Sequence, residues 1–295
     1  RGAKPVMWSP VEKTALAEAQ IEYADRKATT IWVKFPIVKG VHQGASVVIW
    51  TTTPWTIPAN RAVSFNPQIS YGLYECETLE QGLAFEPWIK PGDKLILADK
   101  LAEGVLKAAK AASWKRVTDV SPTQLEVMTL AHPLRNAGLG GYQYEVPMLS
   151  GGHVTDEAGT GFVHTAPGHG EDDYDVWIAT GHKNTDIPNT VDEFGRYTKE
   201  CPGFEGLAII ELEGKKRGQD GPANKAVVDK LVEAGALLAR GQTGLRDEHS
   251  WRSKAPVIRR ATPQWFIAMD VPLNHLPGKE GRTLRQLCLE AIDAT

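Results

Sequence analysis

Hydrophobic residues in the first half of the chain occur in short runs that are rich in β-branched and aromatic side chains. Such runs predict strands at residues 29–38, 46–53 and 71–77. Residues 15–23 are ambiguous, because their apolar positions repeat with period two whereas their alanines and glutamates favour helix. We interpret this stretch as a strand, and we expect a further short strand at residues 161–165.

Apolar residues at helical spacing predict helices at residues 99–112 and 224–234, the second ended by Gly235. A third helix should begin near Glu171, and residues 284–292 also have a helical pattern. The 28 glycines and 19 prolines mark many turns between these elements. Short strands mixed irregularly with a few helices predict a mixed α/β chain of the α+β type, or a mostly antiparallel barrel, rather than a βαβ repeat.

The composition is typical of a globular protein, with 42% hydrophobic residues and a formal charge of −3. It excludes global disorder, and no run reaches the roughly 20 apolar residues of a membrane helix. The 3 cysteines are far apart and form neither a disulfide framework nor a metal-binding pair. We therefore expect a cytoplasmic protein with no membrane partner.

Charge is unevenly distributed along the chain. Residues 151–213 contain thirteen Asp or Glu and three Lys or Arg, whereas residues 246–285 contain eight Lys or Arg and four Asp or Glu. Both stretches could simply be solvated faces. The alternative is an acidic site that binds an ammonium group, beside a basic surface that binds a polyanion.

The first segment dense in functional groups is residues 50–61. Thr51, Thr52 and Thr53 end a hydrophobic strand that Pro54 stops, so their hydroxyls project near a strand terminus on alternate sides. Grouped hydroxyls can bind a water molecule or a ribose. The simpler interpretation is that threonine is a good strand residue and that a turn follows.

The second such segment is residues 159–177, in which a strand enters a Gly/Pro loop carrying His164 and His169. The helix that follows has Glu171, Asp172 and Asp173 in its first turn, where the helix dipole favours acidic side chains and is expected to keep a carboxylate ionised. Capping by Asp172 or Asp173 would explain one carboxylate. It does not explain the two histidines, so the loop is also a candidate pocket rim.

Several kinds of chemistry find little support in these segments. Their spacing matches neither a zincin nor a deaminase motif, no G-x-S-x-G sequence occurs, and neither segment contains a cysteine. The glycine-rich residues 138–141 lack the lysine and hydroxyl residue of a P-loop. Hydrolysis at this site, if it occurs, would use a positioned water.

Three strings carry a specific resemblance, and they are TTTPWTIPAN at 51–60, GTGFVHTAPGHGEDDY at 159–174 and SWRSKAPVIRRATPQWF at 250–266. Together, and in this order, they resemble the inserted editing domain of the isoleucyl-tRNA synthetase family. Sister domains for valine and leucine carry TTRP-type strings, so TTTPWT favours isoleucine. The resemblance covers nearly the whole chain.

This resemblance implies a mixed α/β editing fold with a β-barrel-like core surrounded by helices and with β-ribbon connecting strands. It implies one editing domain over residues 1–295, with a first β-ribbon segment at 1–30, the editing core at 31–245, and return strands with a truncated connection to the catalytic domain at 246–295. We therefore expect a part of a longer synthetase, because HIGH and KMSKS signatures are absent from the chain.

The activity implied by the resemblance is hydrolysis of valyl-tRNA(Ile), with valyl-adenylate as an additional substrate. The partners implied are the tRNA(Ile) 3′ end carrying valine and the rest of the synthetase chain. Editing would need no cofactor, because ATP and magnesium serve only the catalytic domain. Many bacterial relatives have a cysteine pair near residue 9, where this chain has Ser9-Pro-Val-Glu, so we carry over no zinc or other metal site.

The resemblance also assigns catalytic roles. Asp173 would bind the α-ammonium group of the misattached valine. Thr51, Thr52 and Thr53 would line the pocket and hold the attacking water or the terminal ribose. His164 would limit the pocket size and help to exclude isoleucine.

A second set of residues is assigned to substrate binding. Trp55 would pack against adenine or the pocket wall, and Asn60 would bind either the ribose or the backbone of the turn. His169 could instead only cap the loop. The full set of substrate-binding candidates is Trp55, Asn60, Gly168, His169 and Asp172.

The basic residues near the end of the chain are candidates for contacts with tRNA phosphates, and they are Arg252, Lys254, Arg259 and Arg260. Arg259 and Arg260 adjoin on an expected strand and should point to opposite faces. Two alternatives remain, a catalytically silent RNA-binding or structural module and a free-standing esterase. The first has no need of the threonines and the His/Asp loop, and the second would need a nucleophile or metal that the sequence does not offer.

Overall fold

The computed structural model describes residues 2–214, 217–265 and 267–295. It divides into two compact units, Pro5–Ala261 and a smaller one made of the residues up to Lys4 together with Thr262–Thr295. The predicted mixed α/β class is confirmed, since strands dominate and helices are few.

The described strands are β1 Gly2–Ser9, β2 Thr14–Ala15, β3 Ile21–Lys39, β4 Ser46–Thr51, β5 Ala62–Phe65, β6 Tyr71–Leu79, β7 Lys94–Ala98, β8 Ala111–Val120, β9 Thr129–Ala131, β10 Glu145–Ser150, β11 Phe162–Thr165, β12 Leu237–Ser250 and β13 Ile258–Gln264. The helices are α1 Ala102–Ala108, α2 Pro122–Glu126, α3 Glu171–Ala179, α4 Pro222–Glu233 and α5 Leu284–Asp293. Short 3-10 helices occur at Glu18–Gln20, Pro54–Ala59 and Asn184–Asp186.

Ten strands of the larger unit form one sheet in the order β11-β5-β10-β9-β3-β4-β7-β6-β8, with β12 paired to β3. The β3–β12 pair is antiparallel and runs from Val33 opposite Leu237 to Ile21 opposite Ser250. The β5–β10 and β4–β7 pairs are parallel. In the part of the chain that the structure describes, the strand path does not close on itself.

The hydrophobic core of this unit lies against β3 and its neighbours. Ile31, Val33 and Phe35 point inward from β3 at alternate positions and are fully buried. Burial of each such side chain stabilises the fold by about 1.5–3 kcal/mol. Helix α4 covers the same core, and Val227 belongs to the cluster that also contains Ile57. This packing fixes the segment that carries the threonines.

Most of the predicted elements are confirmed. Residues 29–38 lie within β3, residues 71–77 lie within β6, and α3 begins at Glu171. Residues 46–53 are strand up to Thr51, and residues 224–234 are helical up to Glu233.

Two predictions need correction. The helix predicted at 99–112 is α1, which ends at Ala108, because Lys110 has a φ of 72° and the next residues pair with β6 as β8. The strand predicted at 15–23 is interrupted by the 3-10 helix Glu18–Gln20. After Lys110, pairing with β6 overrides the local helical pattern.

The predicted domain boundaries stay predictions. The divisions at 30/31 and 245/246 fall inside β3 and β12, and both strands are continuous through them.

In the smaller unit, Thr283 caps α5, and its hydroxyl accepts a hydrogen bond from the backbone N–H of Gln286 at 3.2 Å.

Candidate active site

Residues 51–60, called the threonine turn here, follow directly from strand β4. Thr53 donates its backbone N–H to the Thr51 hydroxyl at 3.1 Å, and the two hydroxyl oxygens are also 3.1 Å apart. Thr56 donates both its N–H and its hydroxyl to the Thr53 carbonyl, at 3.0 and 2.9 Å. The turn therefore gathers three threonine hydroxyls. Thr52 is half-buried and lies beside this group.

His164 lies opposite the turn on β11 and is buried, with 8% of its surface exposed. Its Nδ1 accepts a hydrogen bond from the Asn60 side-chain amide at 2.7 Å, and its Nε2 donates to the Thr56 hydroxyl at 3.0 Å. This proton arrangement is consistent, because the Thr56 hydroxyl gives its own proton to Thr53. Burial lowers the pKa of His164 to about 3, so the imidazole is neutral.

Asp173 lies in the first turn of α3 and is half-buried. Its Oδ2 accepts a hydrogen bond from the backbone N–H of Ala166 at 3.0 Å. A Cβ on Gly170 would lie 2.5 Å from Oδ2, so a larger residue there would displace the Asp173 carboxylate. Burial raises the pKa of Asp173 to about 6, above its ordinary value. Desolvation outweighs the helix terminus here, although the carboxylate is still mostly ionised at about pH 7.

These side chains surround one cavity of about 170 Å³, which is lined by Trp50, Thr51, Thr53, Thr56, Val163, His164, Ala166, His169 and Asp173. The wall combines one carboxylate, several hydroxyls and apolar groups. Such a wall suits a small ligand with an ammonium group and an aliphatic side chain. The structure thus brings Thr51, Thr53, His164 and Asp173 together, whereas Thr52 is not part of the described lining.

Thr56 and Trp50 line the cavity but are not among the residues predicted from the sequence. A signal for Thr56 exists in the chain, because Pro54 favours a helical turn directly after Thr53. In a 3-10 helix, residues three apart share a face, which places Thr53 and Thr56 together.

Asn60 lies behind His164 and is fully buried. Besides His164, its amide donates to the Ala62 carbonyl at 2.7 Å. The two roles predicted for Asn60, contact with the ribose or with the backbone of the turn, stay predictions, because Ala62 lies in β5 and outside the turn. The Asn60 amide also fixes the tautomer of His164, because Nδ1 must accept the proton that it offers.

The loop with Gly168 and His169 is held by strand β13. His169 Nδ1 donates to the Arg259 carbonyl at 2.7 Å, its Nε2 accepts from the Thr190 hydroxyl at 2.6 Å, and Ala261 donates its N–H to the Gly168 carbonyl at 2.8 Å. Burial lowers the pKa of His169 to about 4. His169 therefore anchors the loop as well as lining the cavity.

A second cavity, of about 200 Å³, shares Thr53, Thr56 and His169 with the first and is also lined by Trp55. The Trp55 ring packs edge-on against His169, with 4.9 Å between ring centroids. Trp55 is thus a neighbour of the first cavity rather than part of its described lining. Asp172 is exposed and outside that lining too, but its charge contributes to the raised pKa of Asp173.

The four basic residues predicted to bind tRNA differ in their surroundings. Arg252 is exposed and its guanidinium lies over the Trp251 ring, while Lys254 pairs with Glu22. Arg259 pairs with Glu171 and Glu248. Arg260 has 7% of its surface exposed, donates to the Val191 carbonyl and lies over the Trp8 ring. Its placement gives no support for a phosphate contact.

Among the described residues, no group of three or more His, Cys, Asp or Glu side chains is arranged to hold a metal ion. Within the same part of the chain, no helix has the length and apolarity needed to cross a bilayer.

Cys76 and Cys201 are buried and Cys288 is exposed, and the described cavity lining includes neither cysteine nor serine.

A family model described as tRNA synthetases class I (I, L, M and V) matches residues 1–291. The chain belongs to this family. It is 62% identical to the isoleucine–tRNA ligase of Caulobacter vibrioides and 51% identical to that of Bradyrhizobium diazoefficiens, covering 100% of this chain and 30% of each relative. It therefore corresponds to a part of an isoleucine–tRNA ligase and spans about 30% of the length of these curated relatives.

Solved structures of GlLeuRS-CP1 and of the P. falciparum cytosolic leucyl-tRNA synthetase editing domain align with 72% and 70% of this chain, and with 99% and 98% of their own. The identities are 15% and 10%, and the TM-scores are 0.45 and 0.43, which are too low to establish a common fold.

Proposed function

We propose that the chain is an editing domain that hydrolyses valine from valyl-tRNA(Ile), and valyl-adenylate as an additional substrate. The observation that carries this proposal is the cavity in which one carboxylate, Asp173, faces clustered threonine hydroxyls and a neutral histidine. An aminoacyl ester has an ammonium group, an ester carbonyl and a side chain. Each of the three finds a matching group in this wall.

The ammonium group would bind Asp173. One carboxylate oxygen is occupied by the Ala166 N–H, and within the described residues no hydrogen bond to the other is found. A charge-assisted bond to that oxygen would anchor the substrate. It would also favour the ionised carboxylate, whose pKa burial otherwise raises.

The reaction is addition of water to the ester carbonyl carbon, followed by cleavage of its bond to the ribose oxygen. The products are valine and a free tRNA hydroxyl, with one proton released. His164 is poorly suited to be the base, because Asn60 occupies Nδ1 and Nε2 carries a proton. The threonine hydroxyls, which can both donate and accept, would position the water.

Size selection would come from His164 and Thr56, whose mutual hydrogen bond closes one side of the cavity. One methylene in an apolar pocket is worth only about 1–3 kcal/mol, a general figure for which isoleucine against valine is the standard example. A second site that accepts the smaller residue and excludes the larger one by steric conflict removes the remaining errors.

The test is to incubate the purified chain with valyl-tRNA(Ile) and with isoleucyl-tRNA(Ile), beside an Asp173→Ala variant. We expect selective release of valine, which the variant loses. Binding of tRNA without any release of valine, by the chain and by the complete ligase alike, would instead indicate a silent RNA-binding module.

A further inference from the structure

The threonine turn is buried along most of its length, at Pro54, Thr56, Ile57, Pro58 and Ala59. Buried carbonyl oxygens need hydrogen-bond donors, and the two prolines of the turn have no N–H to offer. The turn supplies one such donor itself, the Asn60 N–H to the Ile57 carbonyl at 3.0 Å, and further donors come from elsewhere in the chain.

Three side chains from distant parts of the sequence supply them. The Tyr197 hydroxyl donates to the Trp55 carbonyl at 2.5 Å, and His132 Nε2 donates to the Ile57 carbonyl at 3.1 Å. The Tyr144 hydroxyl donates to the Asn60 carbonyl at 2.6 Å, which also accepts from the Arg61 guanidinium at 2.8 Å. None of the three donors belongs to the described lining of the cavity.

The donors are themselves held in place. His132 Nδ1 accepts the N–H of Leu134 at 3.1 Å, so Nε2 carries the proton, and the ring stacks on Tyr142 with 4.9 Å between centroids. The Tyr144 ring also packs against the His132 ring, with 5.2 Å between ring centroids. Burial raises the pKa of Tyr144 to about 12 and that of Tyr197 well above its ordinary value, so both hydroxyls keep their protons.

We propose that Tyr197, His132 and Tyr144 are positioning residues for hydrolysis, because they fix the carbonyls on both sides of Thr56 and at the end of the turn. Thr56 lies between the Trp55 and Ile57 carbonyls. A shift of either carbonyl moves the Thr56 hydroxyl relative to His164 and to Thr53. The inference rests on the proposed editing function, and it assigns to these three residues both the rate and the selectivity of the site.

Tyr142 provides a matched control. It is also buried, and its hydroxyl donates to a backbone carbonyl, that of Pro202 at 3.2 Å, away from the turn. Tyr142→Phe, Tyr144→Phe and Tyr197→Phe each remove one hydroxyl and keep the ring. His132 is left unchanged, because its substitution would also disturb the stack.

The experiment measures kcat and KM for valyl-tRNA(Ile), the rate on isoleucyl-tRNA(Ile) and the melting temperature of each variant. We expect the Tyr144→Phe/Tyr197→Phe double variant to lose about tenfold or more in kcat with little change in KM, and to gain activity on the isoleucyl ester relative to the valyl ester. Tyr142→Phe should keep the wild-type kcat, although its melting temperature should fall by an amount comparable to that of the double variant.

Two failures are distinguishable. If neither the wild-type chain nor the complete ligase releases valine, the proposed function is wrong and the inference falls with it. If the wild-type chain is active and the double variant matches Tyr142→Phe in kcat and in selectivity, the tyrosines only stabilise the fold, and the positioning role is overturned.

Discussion

The Nε2 atom of His164 lies 3.0 Å from the hydroxyl oxygen of Thr56, so a strand and a turn that are 108 residues apart share one hydrogen bond. Behind it, Asn60 donates to the other ring nitrogen of His164 at 2.7 Å. The imidazole is therefore held in one tautomer and one orientation. A cavity wall fixed in this way can exclude a ligand that is one methylene too large.

His164→Ala should open the cavity to isoleucine. We expect release of isoleucine from isoleucyl-tRNA(Ile) to rise to the valine rate or above it, because the steric barrier is lost and the extra methylene in the opened apolar pocket favours isoleucine by about 1–3 kcal/mol. Thr56→Val keeps the side-chain volume but removes the hydroxyl that His164 bonds. It should therefore release isoleucine faster than the wild type but more slowly than His164→Ala, while losing about 1–3 kcal/mol of stability. Unchanged rejection of isoleucine by His164→Ala would contradict the size role.

Asp173→Asn should lower the deacylation activity and raise the stability of the fold. Loss of the ammonium-binding charge is expected to lower kcat/KM for deacylation about 10- to 100-fold. The wild-type carboxylate has its pKa raised to about 6 by burial, so its ionisation disfavours the folded state above that pH. The variant should therefore be more stable at about pH 7, by about 1–2 kcal/mol after allowance for partial exposure.

Deacylation assays and urea unfolding check this prediction, with Asp175→Asn on the same helix as the control. Asp175 is exposed, so its variant should change neither quantity. In the wild type, kcat/KM should rise with pH through about 6 as Asp173 ionises. A flat pH profile together with an active Asp173→Asn variant would refute the ammonium-binding role.

Acid should destabilise the fold through three histidines. Burial lowers the pKa of His132 and His164 to about 3 and that of His169 to about 4. The unfolded chain takes up these protons near its ordinary pKa of about 6.5, so stability is complete above that pH and falls below it. Asp173 acts in the opposite direction between about 4 and 6, because its folded pKa is raised.

We expect unfolding between about pH 4 and 6 to take up about two protons. The free energy of unfolding should therefore fall by about 3 kcal/mol for each pH unit of acidification. Urea unfolding at a series of pH values measures this slope. In Asp173→Asn the slope should be steeper and correspond to an uptake of about three protons on unfolding. A slope near zero would show that the histidines are accessible to protons in the folded state.

The parts of the site that follow from local signals could be predicted from the sequence. Pro54 begins the 3-10 helix that follows β4, and the acidic cluster after Gly170 begins α3. Contacts between distant segments could not be predicted in this way. Tyr197 and Trp55 are 142 residues apart, and β8 forms because β6 offers it a partner. The pKa of Asp173 also depends on this packing, because burial raises it to about 6.

Arg252 and Arg260 should behave differently when they are replaced by alanine. Arg252 is exposed, so Arg252→Ala should weaken tRNA binding with little effect on stability. The slope of the logarithm of the binding constant against the logarithm of salt concentration should become shallower by about one. Arg260 is buried under Trp8, so Arg260→Ala should mainly lower the melting temperature. Filter binding of tRNA at several salt concentrations, with thermal melting of both variants, separates the two effects. The opposite pattern would identify Arg260 as the phosphate contact.

Glu12 joins the segment after β1 to the end of β12. Its carboxylate accepts hydrogen bonds from the hydroxyls of Ser9 and Ser250, the second at 2.9 Å, and both serines are fully buried. Glu12→Ala would leave both hydroxyls without this acceptor, so we expect a loss of about 2–4 kcal/mol in the free energy of unfolding. Glu12→Gln retains one acceptor oxygen and should lose about half as much.

Urea unfolding of both variants measures this effect, and Glu18→Ala is the control, because Glu18 is exposed in the neighbouring 3-10 helix. The control should stay within about 0.5 kcal/mol of the wild type. Valine release per folded molecule should be unchanged in the Glu12 variants, since Glu12 lines neither the cavity nor the threonine turn. Equal stability of Glu12→Ala and Glu18→Ala would mean that the buried serines find other partners, and the carboxylate would then not be what joins the two segments.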